Sequence, residues 1–254
     1  MTRIAVMGLG EAGALYARGL AEAGAHVTGF DPWVASAGTG QVATLAEAVR
    51  DAELVLSLVG ARASVGAARD AIEHMAPGAL LADLNTASPE VKHDVATLAG
   101  AARVRVADVA VLAPVPRAAL GTPLLASGEG AAAFAAAMRP YGAPVDVAPG
   151  GIGDAARLKL LRSVFMKGMA ALVIENLEAA RAMGSEEWLR GQMAAELGPT
   201  GYDTVERMVP GTYLHAERRE HEMRDALAML EALGTPSDIT RATRTWLQRI
   251  VAGR

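Results

Sequence analysis

The sequence predicts an α/β domain followed by an all-α domain, and three observations carry that prediction. Short apolar runs alternate with helical segments as far as residue 148, a pattern typical of a doubly wound parallel sheet. A glycine-rich turn follows the first apolar run. After Pro149-Gly150-Gly151-Ile152-Gly153 only helical patterns remain. We therefore predict a Rossmann-type sheet domain over residues 1–153 and a helical domain over residues 154–254.

The individual elements follow from the apolar pattern and from helix start and stop signals. The runs predicted as strands are 4–7, 26–30, 53–59, 79–83, 104–107, 109–112, 123–127 and 144–147. Helices are predicted at 14–23, 43–50, 62–75, 88–99 and 130–138. One long helix is predicted from Asp154 to about Met183, because an acid suits its start and Gly184 its end. Further helices are predicted at 185–197, 202–208, 213–233 and 239–251, with a break at Pro210-Gly211.

The most specific motif is Gly8-Leu9-Gly10-Glu11-Ala12-Gly13, which lies between the first predicted strand and the first predicted helix. Gly8 permits a tight turn, Gly10 lets a pyrophosphate approach the backbone, and Gly13 lets the helix lie close to the strand. The helix N-terminus then offers free N–H groups to the phosphates. The alternative is that these glycines only pack a helix on a strand. The complete strand–turn–helix–strand–acid unit favours a dinucleotide-binding site.

The acid of this unit is Asp31, which stands at the end of the second apolar run. Its carboxylate would accept hydrogen bonds from the ribose hydroxyls of the adenosine half of the cofactor. The same charge would repel a 2′-phosphate. NAD is therefore the predicted cofactor, and NADP is the other possibility.

The amino-acid composition limits which kinds of molecule the protein is expected to bind. The net charge of −4 disfavours nucleic acid and anionic membrane surfaces. The chain has no cysteine, which excludes disulfides, thiol catalysis and thiolate metal sites, and we expect no metal. No apolar stretch has the length of a membrane span, and the first strand begins too early to leave room for a signal peptide. We expect a cytoplasmic protein with a small-molecule substrate.

A hydride-transfer enzyme that acts on an alcohol needs a group that exchanges the hydroxyl proton. Lys159 is the candidate, since it lies just after the predicted domain boundary. Lys159, Ser163 and Lys167 are spaced i, i+4 and i+8, so they project from one face of the helix. A solvated helix face would show the same spacing. The neighbouring residues are mostly apolar, however, and Lys167 could bind a substrate carboxylate.

A second polar group follows the predicted fourth strand in the sequence Asp83-Leu84-Asn85-Thr86-Ala87-Ser88-Pro89. Ligands of doubly wound folds bind outside the carboxyl ends of the strands. Asn85 and Thr86 are therefore expected to face a nicotinamide or a substrate. Ser88 and Pro89 also read as the N-cap and first residue of a helix, and both interpretations can hold together.

Taken together, these residues resemble the β-hydroxyacid dehydrogenase family, which includes hydroxyisobutyrate and 6-phosphogluconate dehydrogenases. The resemblance covers nearly the whole chain. The glycine motif is similar to the family's GLGxMG loop, and residues 83–89 are similar to its DxSTxxP block, with Asn85 in place of a serine. Residues 153–163 are similar to its GxGxxxKxxxN block, in which Ser163 replaces the asparagine. This match places Lys159 on the family's catalytic lysine.

The family's substrate loop, DAPVSGG, departs further in this chain, which has Asp108-Val109-Ala110-Val111-Leu112-Ala113-Pro114 in its place. Leu112 removes the serine and Pro114 removes a backbone N–H donor. Several stretches are similar to a branch of the family with a short helical C-terminal domain. The resemblance therefore implies a reaction class without a particular substrate.

The resemblance implies an NAD(P)-dependent oxidoreductase that transfers a hydride to or from a secondary alcohol of a β-hydroxy acid. Lys159 would be the acid/base, with Asn85, Thr86 and Ser163 orienting the substrate. His215 and Arg218 are candidates for substrate contacts across a homodimer, which the apolar long helix also predicts; a solvated helix face is the alternative. Two other functions stay open: an imine reductase on the same scaffold, which Lys159 disfavours, and a non-catalytic dinucleotide sensor.

Overall fold

The computed structural model describes residues 2–34, 40–234 and 236–253. The chain forms two compact units, which we call the sheet unit, ending at Lys159, and the helical unit, starting at Leu160. The division falls inside the predicted long helix. A domain boundary after residue 153 stays a prediction.

A seven-stranded sheet forms the centre of the sheet unit. Its strands are β1 (Arg3–Met7), β2 (His26–Phe30), β3 (Leu54–Ser57), β4 (Leu80–Asp83), β5 (Arg105–Val111), β6 (Leu124–Ser127) and β7 (Val145–Val147). The order is β2-β1-β3-β4-β5-β6-β7, and all neighbours are parallel except β5 and β6. The predicted fold class is confirmed. The two runs predicted at 104–107 and 109–112 form one strand, because Asp108 between them is buried with hydrogen-bond partners.

Helices cover both faces of this sheet: α1 (Glu11–Glu22), α2 (Leu45–Val49), α3 (Ser64–Ile72), α4 (Pro89–Ala101) and α5 (Ala131–Met138). Alternate residues of β1 enter different cores, since Ile4 packs with α1 and α5 while Ala5 packs with α2, α3 and α4. This alternation follows from the two-residue period of a strand. It explains why the strands of a sheet covered on both faces are apolar throughout.

The second half of the chain is helical, with α6 (Asp154–Ala182), α7 (Glu186–Glu196), α8 (Gly201–Leu214), α9 (Ala216–Ala232) and α10 (Asp238–Ala252). The long helix predicted from Asp154 to about Met183 is confirmed as α6. The predicted break at Pro210 is wrong, because α8 continues through this residue and ends at Leu214. Buried Val205 and Met208 pack α8 into a small core, which offsets the ~3 kcal/mol cost of an internal proline. Within the described residues no helix is long and apolar enough to cross a bilayer.

Candidate cofactor and active site

The glycine turn follows β1 at the point where the strand order reverses, between β2 and β3. Gly8 has a φ of +86°, and a Cβ there would lie 2.6 Å from the carbonyl oxygen of Leu58. A Cβ on Gly13 would lie 1.8 Å from the carbonyl oxygen of Gly8. The fold itself therefore requires glycine at both positions.

Gly10 is different, because neither its backbone nor the packing explains it. Its φ is −61°, which any residue adopts, and a Cβ built on it meets no atom within 4 Å. Gly10 is the N-cap of α1, and no side chain caps this helix end. An exposed helix N-terminus behind a residue without a side chain fits a pyrophosphate, which needs both free N–H groups and close approach to the backbone. The residues present thus fit a dinucleotide.

The rest of the turn is held against β2 by Asp31. One oxygen of this carboxylate, Oδ2, accepts a hydrogen bond from the backbone N–H of Leu9 over 2.7 Å. The other, Oδ1, accepts from the N–H groups of Trp33 and Val34. Because a carboxylate oxygen can accept two hydrogen bonds, Oδ2 retains capacity for one more donor, such as a ribose hydroxyl. Glu11 and Ala12 lie in the first turn of α1.

A row of buried polar residues crosses the sheet near the carboxyl ends of its strands. Ser57, Asp83, Asp108 and Ser127 are register partners on β3, β4, β5 and β6 in turn. They project from the same face of the sheet, towards α3 and α4. All four are buried, so each needs hydrogen-bond partners.

Lys92 of α4 brings a positive charge to the two aspartates of this row, and its side chain is only 2% exposed. Its Nζ donates to the carbonyl oxygen of Asp83 over 2.7 Å and lies 3.3 Å from Asp83 Oδ2. It also lies 3.3 Å from Asp108 Oδ1, which accepts no hydrogen bond in the described structure. This ion pair therefore compensates a carboxylate oxygen that has no other described partner.

Asn85 is buried immediately after β4, and its amide takes part in the same network. Its Oδ1 accepts from the N–H of Gly60, and its Nδ2 donates to Asp83 Oδ1 over 2.6 Å and to Ser57 Oγ over 2.9 Å. These bonds join the turns that follow β3 and β4. The predicted catalytic role of Asn85 stays a prediction, and the geometry favours a role in shaping the site.

Thr86 and Lys159 meet at this edge of the sheet unit. Thr86 is exposed, and its Oγ1 accepts a hydrogen bond from Lys159 Nζ over 2.8 Å. Lys159 lies in the second turn of α6 and is half-buried. Ser88 occupies the N-cap position of α4 before Pro89, as predicted, but its hydroxyl makes no capping hydrogen bond.

The first turn of α6 is capped by the sheet. Asp108 Oδ2 accepts from the N–H groups of Gly153 and Ala156 over 3.2 and 3.0 Å, and Ser127 Oγ accepts from the N–H of Ala155 over 2.9 Å. Three of the N–H groups that a helix start leaves without intrahelical partners are satisfied in this way. The capping fixes the start of the helix that carries Lys159.

Ser163 and Lys167 belong to the helical unit, where they meet a carboxylate that the sequence did not single out. Lys167 Nζ lies 2.7 Å from Glu222 Oε2 and donates to Ser163 Oγ over 3.0 Å. Arg218 Nη1 lies 2.8 Å from Glu222 Oε1. Burial lowers the pKa of Lys167, an effect that Glu222 opposes and that Arg219 and Arg218 reinforce. His215, another candidate substrate residue, is exposed at the N-cap of α9.

Sequence reasoning missed three groups: Lys92, the capping role of Asp108, and Glu222 as the partner of Lys167. Two aspartates within apolar strand runs, Asp83 and Asp108, are a signal that a buried counter-charge is needed. The i, i+4 spacing of Arg218 and Glu222 was visible, but their burial beside Lys167 was not. Among the described residues, no three His, Asp or Glu side chains could together hold a metal ion.

Two family models match the chain, one in each half. Residues 3–141 match the family described as the NAD binding domain of 6-phosphogluconate dehydrogenase. Residues 180–250 match a domain of unknown function. An uncharacterized 28.5 kDa protein of Methanothermus fervidus is 25% identical over 69% of this chain, and the match covers 66% of that relative. The chain thus spans just under two thirds of this relative's length.

Solved structures share the fold. A conserved hypothetical protein from Sinorhizobium meliloti is 28% identical, with a TM-score of 0.77 over 98% of this chain and 88% of that one. A Mycobacterium tuberculosis 3-hydroxyisobutyrate dehydrogenase with L-serine is 21% identical, with a TM-score of 0.82 over 99% and 94%. An Aspergillus terreus imine reductase is 19% identical, with a TM-score of 0.68 over 100% and 94%.

These comparisons agree with the glycine turn, its helix and the seven-stranded sheet. The matched family covers more than half of the chain and includes every residue of the turn as well as Asp31, Asn85 and Thr86. The chain belongs to the family of the NAD binding domain of 6-phosphogluconate dehydrogenase, and the resemblance to hydroxyacid dehydrogenases with a short helical C-terminal domain is confirmed.

Proposed function

We propose that this protein is an NAD(P)-dependent oxidoreductase that transfers a hydride between the nicotinamide and a secondary alcohol of a β-hydroxy acid. The single observation that carries the proposal is the Lys159–Thr86 hydrogen bond at the edge of the sheet unit. It places an amine at the sheet edge where doubly wound folds bind ligands, in the same unit as the glycine turn.

Each residue has a role in this proposal. A bound nicotinamide dinucleotide supplies the hydride acceptor or donor. In the oxidative direction the Lys159 amine accepts the proton of the substrate hydroxyl, and in the reductive direction the ammonium returns it. Thr86 orients the amine, and Asn85 holds the turns that follow β3 and β4. Asp31 favours NAD over NADP, because its charge would repel a 2′-phosphate.

Substrate binding by the helical unit is part of the same proposal. Two cations, Lys167 and Arg218, surround the single carboxylate of Glu222, which leaves an excess of positive charge. Arg218 is 60% exposed and can exchange partners. We assign the substrate carboxylate to Lys167 and Arg218, with His215 as a further exposed donor and Ser163 as a positioning hydroxyl.

A homodimer is also proposed. Leu161, Phe165 and Leu172 of α6 are 54%, 64% and 62% exposed, and their spacing of four and seven residues places them on one stripe. A second copy of the chain would bury this stripe. Light scattering should show a dimer at micromolar concentration, and a Phe165→Glu variant should be a monomer. A monomeric wild type would contradict this part of the proposal. A cytoplasmic location stays a prediction.

The activity is tested by a substrate panel. The purified protein is incubated with NAD⁺ or NADP⁺ and 3-hydroxyisobutyrate, L-serine or 6-phosphogluconate, and reduced cofactor is followed by absorbance. A cyclic imine with NADH or NADPH forms the second arm. Reduced cofactor from a hydroxy acid supports the proposal. Turnover of the imine alone favours a reductase, and cofactor binding without turnover in either arm favours a sensor.

A further inference from the structure

Lys92 is the most deeply buried cation among the described residues, and the proposed function provides no role for it. Its side chain is 2% exposed, and it is held by Asp83 on β4 and Asp108 on β5. Lysine is rarely buried unless it is paired, because removing an ammonium from water is costly. Lys92 is thus one cation between two carboxylates.

On one side, Lys92 holds the turn that carries Thr86. Its Nζ donates to the carbonyl oxygen of Asp83, the last residue of β4. The Asp83 carboxylate accepts from both the N–H and the Nδ2 of Asn85, which precedes Thr86. The path from the Lys92 ammonium to Thr86 therefore runs through one strand end and one short turn.

On the other side, Lys92 holds the helix that carries Lys159. Its Nζ lies 3.3 Å from Oδ1 of Asp108, whose Oδ2 accepts from the N–H groups of Gly153 and Ala156. Ala156 precedes Lys159 by three residues, which is less than one helical turn. The orientation of the Asp108 carboxylate thus determines where the first turn of α6 begins.

We propose that Lys92 is a positioning residue for the Lys159–Thr86 pair. A single buried ammonium links the turn that presents Thr86 to the carboxylate that caps the helix of Lys159, so it sets the distance between the two partners. The inference rests on the acid/base role of Lys159 in the proposed function. Its test reads the environment of Lys159 without requiring turnover, so the two can fail separately.

The experiment compares wild type with Lys92→Met and Lys92→Gln. Lys92→Gln retains N–H donors and removes the charge, so it carries the test if Lys92→Met does not fold. Arg3→Met is the matched control, because it also removes a cation of an ion pair in the sheet unit. Arg3 pairs with Glu53 at the start of β1, the end of the strand that lies away from the glycine turn. Circular dichroism and NADH affinity establish that each variant is folded.

The first measurement is trace acetylation of lysine amines across a pH series, followed by trypsin digestion and mass spectrometry. Because trypsin does not cleave after an acetylated lysine, acetylated Lys159 is recovered in the peptide 158–162, separate from Lys167. A Lys159 amine that is released from Thr86 is more available to the reagent. The extent of Lys159 acetylation at each pH should therefore rise by about 2-fold or more in both variants and stay unchanged in Arg3→Met.

The second measurement is amide hydrogen exchange over residues 153–156. Exchange should accelerate in the Lys92 variants because the Asp108 carboxylate loses its ion pair with the Lys92 ammonium. With a substrate from the panel, kcat should fall by about 10²-fold with little change in NADH affinity. A folded Lys92→Gln whose acetylation and exchange match wild type would overturn the inference. If both shift while Lys159→Met retains full turnover, the positioning stands and the proposed function fails.

Discussion

The two units hold the carboxylates of their candidate residues in different ways. In the sheet unit, Asp31, Asp83 and Asp108 each accept hydrogen bonds from backbone N–H groups. In the helical unit, Glu222 is held by the side chains of Lys167, Arg218 and Ser163. The charge balance is also opposite, with one cation for two carboxylates around Lys92 and two cations for one carboxylate around Glu222.

The difference suggests a division of roles between two polar clusters of one chain. Backbone donors are fixed by the sheet and by helix starts, so the cluster around Lys92 is preorganised before any ligand arrives. Arg218 is 60% exposed, so it can exchange Glu222 for an incoming carboxylate at little cost while Lys167 remains on Glu222.

The largest expected effect is on stability. Lys92→Met leaves two buried carboxylates without a counter-charge and should lower the free energy of unfolding by ~3–5 kcal/mol. Lys167→Met, in which the lysine is 15% exposed, should cost about 1.5–3 kcal/mol. Urea unfolding of both variants measures the difference. Arg218→Ala is the exposed control and should cost less than about 1 kcal/mol. A Lys167 variant less stable than the Lys92 variant would reverse the comparison.

A smaller effect is expected on cofactor choice. Asp31 holds Leu9, and in the proposed function it also accepts a ribose hydroxyl, so removing it should weaken binding of NADH and NADPH alike. Only the ratio of the NADH and NADPH dissociation constants reports the effect of the Asp31 charge. Wild type should bind NADH about 10-fold or more tightly than NADPH, and Asp31→Asn should narrow this ratio. Fluorescence titration measures both constants. A wild type that prefers NADPH would show that the Asp31 charge does not select the cofactor.

The smallest effect concerns pH. Burial lowers the pKa of Lys167 in the folded chain below the usual 10.5. At a pH between the folded-state pKa and 10.5, the unfolded chain therefore binds more protons than the folded one. The contribution of Lys167 to stability therefore rises as pH increases through that window. Urea unfolding at several pH values should show a rise for wild type that Lys167→Met lacks. Equal slopes for the two proteins would mean that Lys167 is not desolvated as its burial implies.

Much of the fold was predictable because its elements carry local signals. The turn at Gly8–Gly13, the apolar strands and the long helix from Asp154 have short-range patterns that the structure retains. The continuation of α8 through Pro210 was not predictable, since it depends on packing of Val205 and Met208 against distant residues. The antiparallel pairing of β5 with β6 likewise depends on the chain path between them.

The sequence predicted the residues of the candidate site better than the hydrogen bonds and ion pairs that join them. The sequence pointed to Thr86 and Lys159 separately, on residue type and motif. Their 2.8 Å hydrogen bond depends on the capping of α6 by Asp108, which pairs groups 45 and 48 residues apart along the chain. The burial of Lys92 was not predictable, because a single lysine on an amphipathic helix has no sequence pattern that distinguishes burial from exposure.

The central claim is that Lys159 exchanges the proton of the substrate. The most direct test measures turnover of Lys159→Met beside Lys167→Met on an active substrate. Lys159→Met keeps the length and apolar stem of the side chain but removes the amine. Its turnover should fall by ~10²–10⁴-fold with little change in NADH affinity or melting temperature, while Lys167→Met should mainly raise KM. Near-normal turnover of Lys159→Met would contradict the account, and loss of turnover in Lys167→Met alone would assign the proton to that lysine.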